Sequence, residues 1–147
     1  MNTATHQTAL LQEALSQALG PSALISKANN ALYTTDVYSG NEAPGLVVQP
    51  TTQAQVADAV RISTRAGWAI TQRGGGMSYT GGYLPQRSET VMLDLSALNR
   101  IISIDEDDLV ITVEAGVTWQ QIWEALTPRG LRLPFFRTSS GSRATVG

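Results

Sequence analysis

The stretch Arg73-Gly74-Gly75-Gly76-Met77-Ser78-Tyr79-Thr80-Gly81-Gly82 carries five of the chain's 13 glycines. Glycine loses more conformational freedom on folding than any other residue. A run this dense is tolerated where the backbone needs conformations closed to other side chains, or where another group must come close. One such use turns consecutive N–H groups toward a point, forming a concavity for an anion such as phosphate or pyrophosphate. The other is a purely structural turn, and the spacing alone leaves both open. The sequence before the loop narrows the fold. Gly45-Leu46-Val47-Val48-Gln49-Pro50 is a short apolar run ending in proline and reads as a buried strand. Thr52 and Gln55 have capping-box spacing, Val56, Ala59, Val60 and Ile62 follow with a mostly helical period, and Gly67 suits a C′ stop. Trp68-Ala69-Ile70-Thr71 is a second strand. Strand, helix and strand in this order form a βαβ unit, with the two strands parallel and a right-handed crossover. The glycine loop then lies beyond the carboxyl end of a parallel strand, where open α/β sheets bind ligands.

Outward from this unit, Leu11, Ala14, Leu15, Ala18 and Leu19 give residues 8–19 the pattern of an amphipathic helix, stopped by Gly20-Pro21. Residues 29–45 are irregular, with turn signals at Ser39-Gly40-Asn41 and Pro44-Gly45. Downstream, Thr90-Val91-Met92-Leu93-Asp94-Leu95 is a third strand. Residues 100–105 and 109–114 read as an antiparallel hairpin around Glu106-Asp107-Asp108. That acidic turn is read as a solvated tip rather than a metal site, since no further ligand spacing accompanies it. Thr118 and Gln121 open another helix with Ile122, Trp123 and Leu126 on its apolar side, closed by Pro128 and Gly130. Its tryptophans are read as core. Arg129, Arg132, Arg137 and Arg143 surround Ser139-Ser140-Gly141-Ser142, which is either a phosphate-facing loop or an arginine-rich surface loop. By itself the surface reading is favoured.

Composition excludes much. The 147 residues carry a net charge of −2, so there is no overall electrostatic footprint for nucleic acid. The absence of cysteine excludes disulfides, thiolate metal sites and a cysteine nucleophile. No apolar run is long enough to span a membrane. Residues 1–12 lack the basic start and apolar stretch of a secretory signal, so a cytoplasmic location is expected. The single histidine, His6, lies near the start, away from any candidate site. Three motifs fail at the glycine loop. A phosphate-binding loop of the Gly-Lys-Ser/Thr kind needs a lysine, and the only lysine is Lys27. A Rossmann fingerprint needs its glycines to open a helix, whereas this loop runs into Tyr83-Leu84-Pro85 and a strand. A nucleophile elbow needs Gly-x-Ser-x-Gly, and Thr80 replaces its second glycine.

The order of these blocks resembles one family. The run Pro-Gly-Leu-Val-Val-Gln-Pro, a helix, Ala-Ile-Thr-Gln-Arg-Gly-Gly-Gly-Met-Ser, Gly-Gly, Val-Met-Leu-Asp-Leu-Ser-Ala-Leu-Asn-Arg-Ile, Val-Glu-Ala-Gly-Val-Thr-Trp and Gly-Leu-Arg-Leu-Pro is similar to the FAD-binding domain of the vanillyl-alcohol oxidase and p-cresol methylhydroxylase type. The resemblance covers about residues 40–147. It implies an α+β fold: a small parallel βαβ subdomain, then the start of a mixed or antiparallel subdomain. The divisions expected are residues 1–42 as an N-terminal helix and irregular lead-in, 43–104 as the first FAD-binding subdomain and 105–147 as the incomplete start of a second one. The final Ala-Thr-Val-Gly matches a Thr-Val/Ile-Gly-Gly block cut one residue short, so the chain is expected to be truncated and inactive by itself.

The same resemblance implies roles for particular residues. Gly74, Gly75, Gly76, Met77 and Ser78, with Arg73 at their head, would wrap the FAD pyrophosphate through backbone N–H groups. Gly81 and Gly82 would let the chain pass close to the flavin, and Pro50 would lie near the adenine end. Ser140, Gly141, Thr145, Val146 and Gly147 would form a second flavin-contacting stretch, which favours the functional reading of that loop. Glu114-Ala115-Gly116 matches a turn in the second subdomain. Met77 departs from branches that carry a flavin-bonded histidine there, so FAD is expected to be held non-covalently in this segment. Catalytic residues are not assigned, and no metal is expected. The implied activity is hydride transfer from an alcohol, hydroxy acid or similar small molecule to the flavin. Two alternatives stay open: a reductase using a nicotinamide donor, and a nucleotide-binding module without redox chemistry.

Overall fold

In the computed structural model, residues 3–26, 32–134 and 141–147 are described. Helix α1 (Thr3–Leu19) is followed by strand β1 (Leu46–Val48), helix α2 (Gln53–Arg65), strands β2 (Ala69–Arg73) and β3 (Thr90–Asp94), the hairpin β4 (Ile101–Asp105) and β5 (Val110–Val113), and helix α3 (Trp119–Leu126). The first three strands form one parallel sheet in the order β1-β3-β2. The βαβ strands are therefore parallel but not neighbours, because β3 inserts between them. Burial suits β3 to the centre, although β1, equally buried, takes one edge. All five residues of Thr90-Val91-Met92-Leu93-Asp94 are buried, as a central strand requires, whereas β2 is only partly covered and takes an edge.

Alternation along the strands divides the core into two layers. Leu46, Val48, Val91 and Leu93 face α1 and α2, packing on Leu11, Leu15, Leu19, Ala59 and Trp68. The first helix thus contributes to this core, although Ala18 on the same pattern is exposed. Val47 and Met92 point to the opposite face, against Tyr33, Tyr83 and Leu84. Around the sheet, α2 is capped as expected at its start: the Thr52 hydroxyl accepts from the Gln55 N–H at 3.2 Å. The box is displaced by one residue, because the Gln55 side-chain Oε1 accepts from Thr51 N–H at 2.8 Å instead of from Thr52. At its other end Gly67 adopts φ +77°, with Trp68 N–H bonded to Ser63 C=O and Gly67 N–H to Thr64 C=O, a Schellman closure.

The second sheet consists of β4 and β5, antiparallel, with an irregularity between Ile101 and Ser103. Strand β4 straddles residues 104 and 105 and pairs with β5, so the change of sheet precedes Ile101. The Asp105 carboxylate accepts from the N–H groups of Asp107 and Asp108, which closes the acidic turn locally. Val117, Ile122 and Leu126 pack with Ile101, Ile104, Ile111 and Val113 as a separate small core. Here the expected apolar face of α3 is corrected. Trp123 is 47% exposed, while Trp119 packs on the core. At 100° per residue Trp123 sits at the rim of the stripe centred on Ile122 and Leu126. The capping box of α3 is reciprocal, with Thr118 N–H bonded to Gln121 Oε1 and Gln121 N–H to Thr118 Oγ1.

Candidate cofactor site

Strand β2 delivers its carboxyl end to the glycine loop, and the segment 141–147 comes to meet it from the other subdomain. That segment is fixed by four backbone bonds: Trp119 N–H to Ala144 C=O, Gln120 N–H to Gly141 C=O, Val146 N–H to Val117 C=O and Gly147 N–H to Ala115 C=O. The first two satisfy donors at the start of α3 that its cap leaves over. One side chain then joins the subdomains. Thr145 Oγ1 accepts from Gly75 N–H at 2.9 Å and donates to Gly147 C=O at 2.6 Å.

The junction explains the glycines individually. A Cβ on Gly74 would overlap the Gly147 carbonyl and the Thr145 hydroxyl, and one on Gly75 would overlap the Arg143 carbonyl. Neither has a positive φ; that conformation belongs to Gly76 (φ +72°) and Gly81 (φ +66°). Gly81 is held by Asp36. One carboxylate oxygen of Asp36 accepts from Gly81 N–H at 2.6 Å, while the other gathers the N–H groups of Tyr38 and Ser39 and the Ser39 hydroxyl. These bonds, led by that from Ser39 N–H, keep the Asp36 carboxyl below the usual carboxylate range. The Asp36 link escaped the sequence reading; the turn signal at Ser39-Gly40 marks the turn but nothing marks its partner.

Between the two walls lies a cleft of about 740 Å³ lined by Gln72, Gly74, Gly75, Gly76, Met77, Ser78, Tyr79, Thr80, Gly82, Tyr83, Ala144, Thr145, Val146 and Gly147. This is within the usual size for small-molecule sites. Most of the residues singled out in the sequence meet here. Pro50, fully buried, lies outside this lining. Arg73 and Gly81 support the loop from outside the lining, and Gly141 stands against Gln120. Ser140, like Arg137, lies outside the described residues. The arginines downstream of α3 separate as well: Arg129 pairs with Glu106 at 3.2 Å on the hairpin side.

Two properties define what the cleft can hold. The backbone N–H groups of Gly76, Met77 and Ser78 have no acceptor among the described residues, although all three residues line it. Unpaired donors on consecutive residues suit an anionic ligand with several acceptor oxygens. The only titratable side chains in the lining are those of Tyr79 and Tyr83, so the described residues offer no carboxylate or imidazole to act as base.

A parallel βαβ-type layer, a second antiparallel layer and a glycine cleft between them define an FAD-linked oxidase fold of the p-cresol methylhydroxylase type. The comparisons agree: the family described as FAD binding domain matches residues 44–147, and the chain belongs to it. Among curated relatives, the mitochondrial D-lactate dehydrogenase (cytochrome) 1 of Saccharomyces cerevisiae is 29% identical over 121 residues, covering 81% of this chain and 20% of its own. D-2-hydroxyglutarate dehydrogenase of Escherichia coli is 33% identical over 143 residues, covering 93% of this chain and 14% of its own. The solved structure of p-cresol methylhydroxylase with substrate bound superposes with a TM-score of 0.74 at 26% identity, over 86% of this chain and 25% of that one. Alkyldihydroxyacetonephosphate synthase shares the fold with a TM-score of 0.82 at 20% identity, over 95% of this chain and 30% of that one. This chain therefore spans a fifth or less of the two curated relatives.

Proposed function

We propose that the cleft holds the pyrophosphate of FAD and that the protein oxidises a small alcohol or hydroxy acid. The observation that carries this reading is the set of unpaired N–H groups on Gly76, Met77 and Ser78 within a cleft that family membership links to FAD. In this reading Gly74 and Gly75 close the wall against 143–147, Gly76 turns the chain, and Gly82 lets it pass the ligand closely. Bound FAD supplies the two-electron acceptor: the carbinol C–H leaves as hydride, the O–H proton leaves to a base, and a carbonyl remains. Tyr79, exposed in the lining, presents ring surface to the ligand, and the base comes from outside the described lining. Within this segment attachment is non-covalent, since a Met77 thioether stands where other branches bond the flavin through histidine. Hydroxy acids are the first candidates because two relatives are named for D-lactate and D-2-hydroxyglutarate. A cytoplasmic location is part of the reading; none of the described helices is long and apolar enough to cross a membrane.

The test is a titration of the purified protein with FAD, read by quenching of flavin fluorescence, followed by anaerobic addition of D-lactate, D-2-hydroxyglutarate or NADPH. Saturable quenching is expected of this chain, and bleaching by a hydroxy acid of a protein that also carries the base this lining lacks. Bleaching by NADPH alone would establish the reductase alternative, and a flavin that is bound but never reduced would leave a binding module. Failure to bind FAD at millimolar protein would overturn the proposal.

A further inference from the structure

Behind the glycine loop stands the cation at its head, Arg73, whose side chain the backbone cradle leaves without a role. The Arg73 guanidinium lies between two rings, 5.2 Å from the centroid of Tyr33 and 5.7 Å from that of Tyr83. It also presses on the loop: a Cβ at Gly76 would overlap one of its terminal nitrogens. Its hydrogen bonding is incomplete. One terminal nitrogen reaches the Gly74 carbonyl at 3.4 Å, and Nε is buried with no partner. The ion pairs among the described residues are Arg61–Asp58, Arg100–Glu114 and Arg129–Glu106, so Arg73 is in none of them.

The carboxylate that could have served is committed elsewhere. Asp94 accepts from the Tyr33 hydroxyl at 2.7 Å, from Ser96 N–H at 3.0 Å and from Gln49 Nε2 at 3.3 Å. Tyr33 therefore meets the carboxylate at its hydroxyl and the guanidinium at its face. Burial, then the bond and charge of Asp94, push its phenol up to about 12, against the opposing pull of Arg73. Ring faces stabilise a guanidinium but provide no counter-charge and accept no Nε proton in the ring plane. A half-buried cation without an anion is unfavourable in a folded chain. It stands directly against Gly76, whose N–H begins the run of unpaired donors.

We infer that Arg73 is a positioning residue and fixed counter-charge for a diphosphate on the loop: clamped by Tyr33 and Tyr83, it shapes Gly76 from behind and supplies positive charge that the backbone donors lack. This rests on the FAD reading. It also explains why an arginine, with a flat and permanently charged head, suits the slot better than a lysine.

The test uses the ¹⁵N-labelled 147-residue chain, titrated by NMR with inorganic pyrophosphate and with FAD. In the wild type, both ligands are expected to shift the amides of Gly76, Met77 and Ser78 and the Nε–H resonance of Arg73. Arg73→Gln should weaken pyrophosphate about tenfold and flatten the salt dependence of binding, while Arg73→Lys recovers part of both. Circular dichroism and the Tyr33 and Tyr83 ring resonances monitor folding of each variant. If Arg73→Gln does not fold, the wild-type Nε–H shift decides. Loop amides that move with FAD while Nε–H stays still, or a folded Arg73→Gln with wild-type pyrophosphate affinity, overturn this inference alone. Loop amides that move with neither ligand overturn the FAD reading together with it.

Discussion

Gly75→Ala tests how the two subdomains meet. The added methyl would overlap the Arg143 carbonyl oxygen and come to 2.9 Å from its carbon and 3.4 Å from Thr145 N. These are backbone atoms, which cannot swing aside as a side-chain tip would, so relief requires segment 141–147 to move. Overpacking of this kind costs about 1–3 kcal/mol. The Gly75 N–H to Thr145 Oγ1 bond stretches with it, at about 1 kcal/mol. Even at the lower end the sum is about 2 kcal/mol, or a factor of about 30 in the opening equilibrium of the segment. Hydrogen exchange reads this directly, because Val146 and Gly147 donate to Val117 and Ala115 only while the segment is docked. Both amides should exchange about 30-fold faster, with those of β3 unchanged. Gly82→Ala is the control: its Cβ would meet nothing nearer than Thr80 Oγ1 at 3.6 Å, an ordinary contact. Wild-type exchange at Val146 and Gly147 in Gly75→Ala would refute the steric argument.

Three further outcomes are expected. Glu114, buried and held by the N–H and guanidinium of Arg100, has its carboxyl lowered by those bonds, so its stabilisation is present above the unfolded value of about 4.3 and lost as pH falls through the lower folded value; urea midpoints of Glu114→Gln should therefore fall short of wild type at pH 7 and converge with it in acid. Tyr33→Phe leaves Asp94 short of its closest donor and should destabilise by about 1–3 kcal/mol in urea unfolding, with fluorescence and circular dichroism transitions still coincident. Acid precipitation of FAD-loaded protein should leave the flavin in the supernatant, and a flavin-labelled peptide containing Met77 would contradict non-covalent attachment.

The parallel layer was legible because its signals are local: apolar runs, the Thr52 cap, and Gly67 at the helix end. Strand order was less so. Nothing in residues 46–73 announces that Val91 and Met92 will wedge between the first two strands; that accompanies burial of the whole of β3, a tertiary fact. Trp123 shows a related limit, since a residue at the rim of an apolar stripe faces solvent or core according to what packs beside it. In the site, the glycine loop and Thr145 were found by motif order. The Asp36–Gly81 link and the Tyr33–Arg73 contact of the stack join residues 40 or more positions apart through side chains whose identities are common everywhere. Pro50 is buried at the end of β1 and lies outside the lining of the glycine cleft, so the cleft says nothing of the adenine-end role its motif implies.

The three adjacent glycines answer to three different neighbours: Gly74 to the Gly147 carbonyl and Thr145, Gly75 to Arg143, and Gly76 to the arginine behind it and to its own backbone angle. A lineage that abandoned the ligand would still be obliged to keep the first two, since losing either pries apart the halves of the molecule. Retention of Gly74 and Gly75 in a distant sequence therefore testifies to intact architecture, and only Gly76 with Arg73 speaks to retained chemistry.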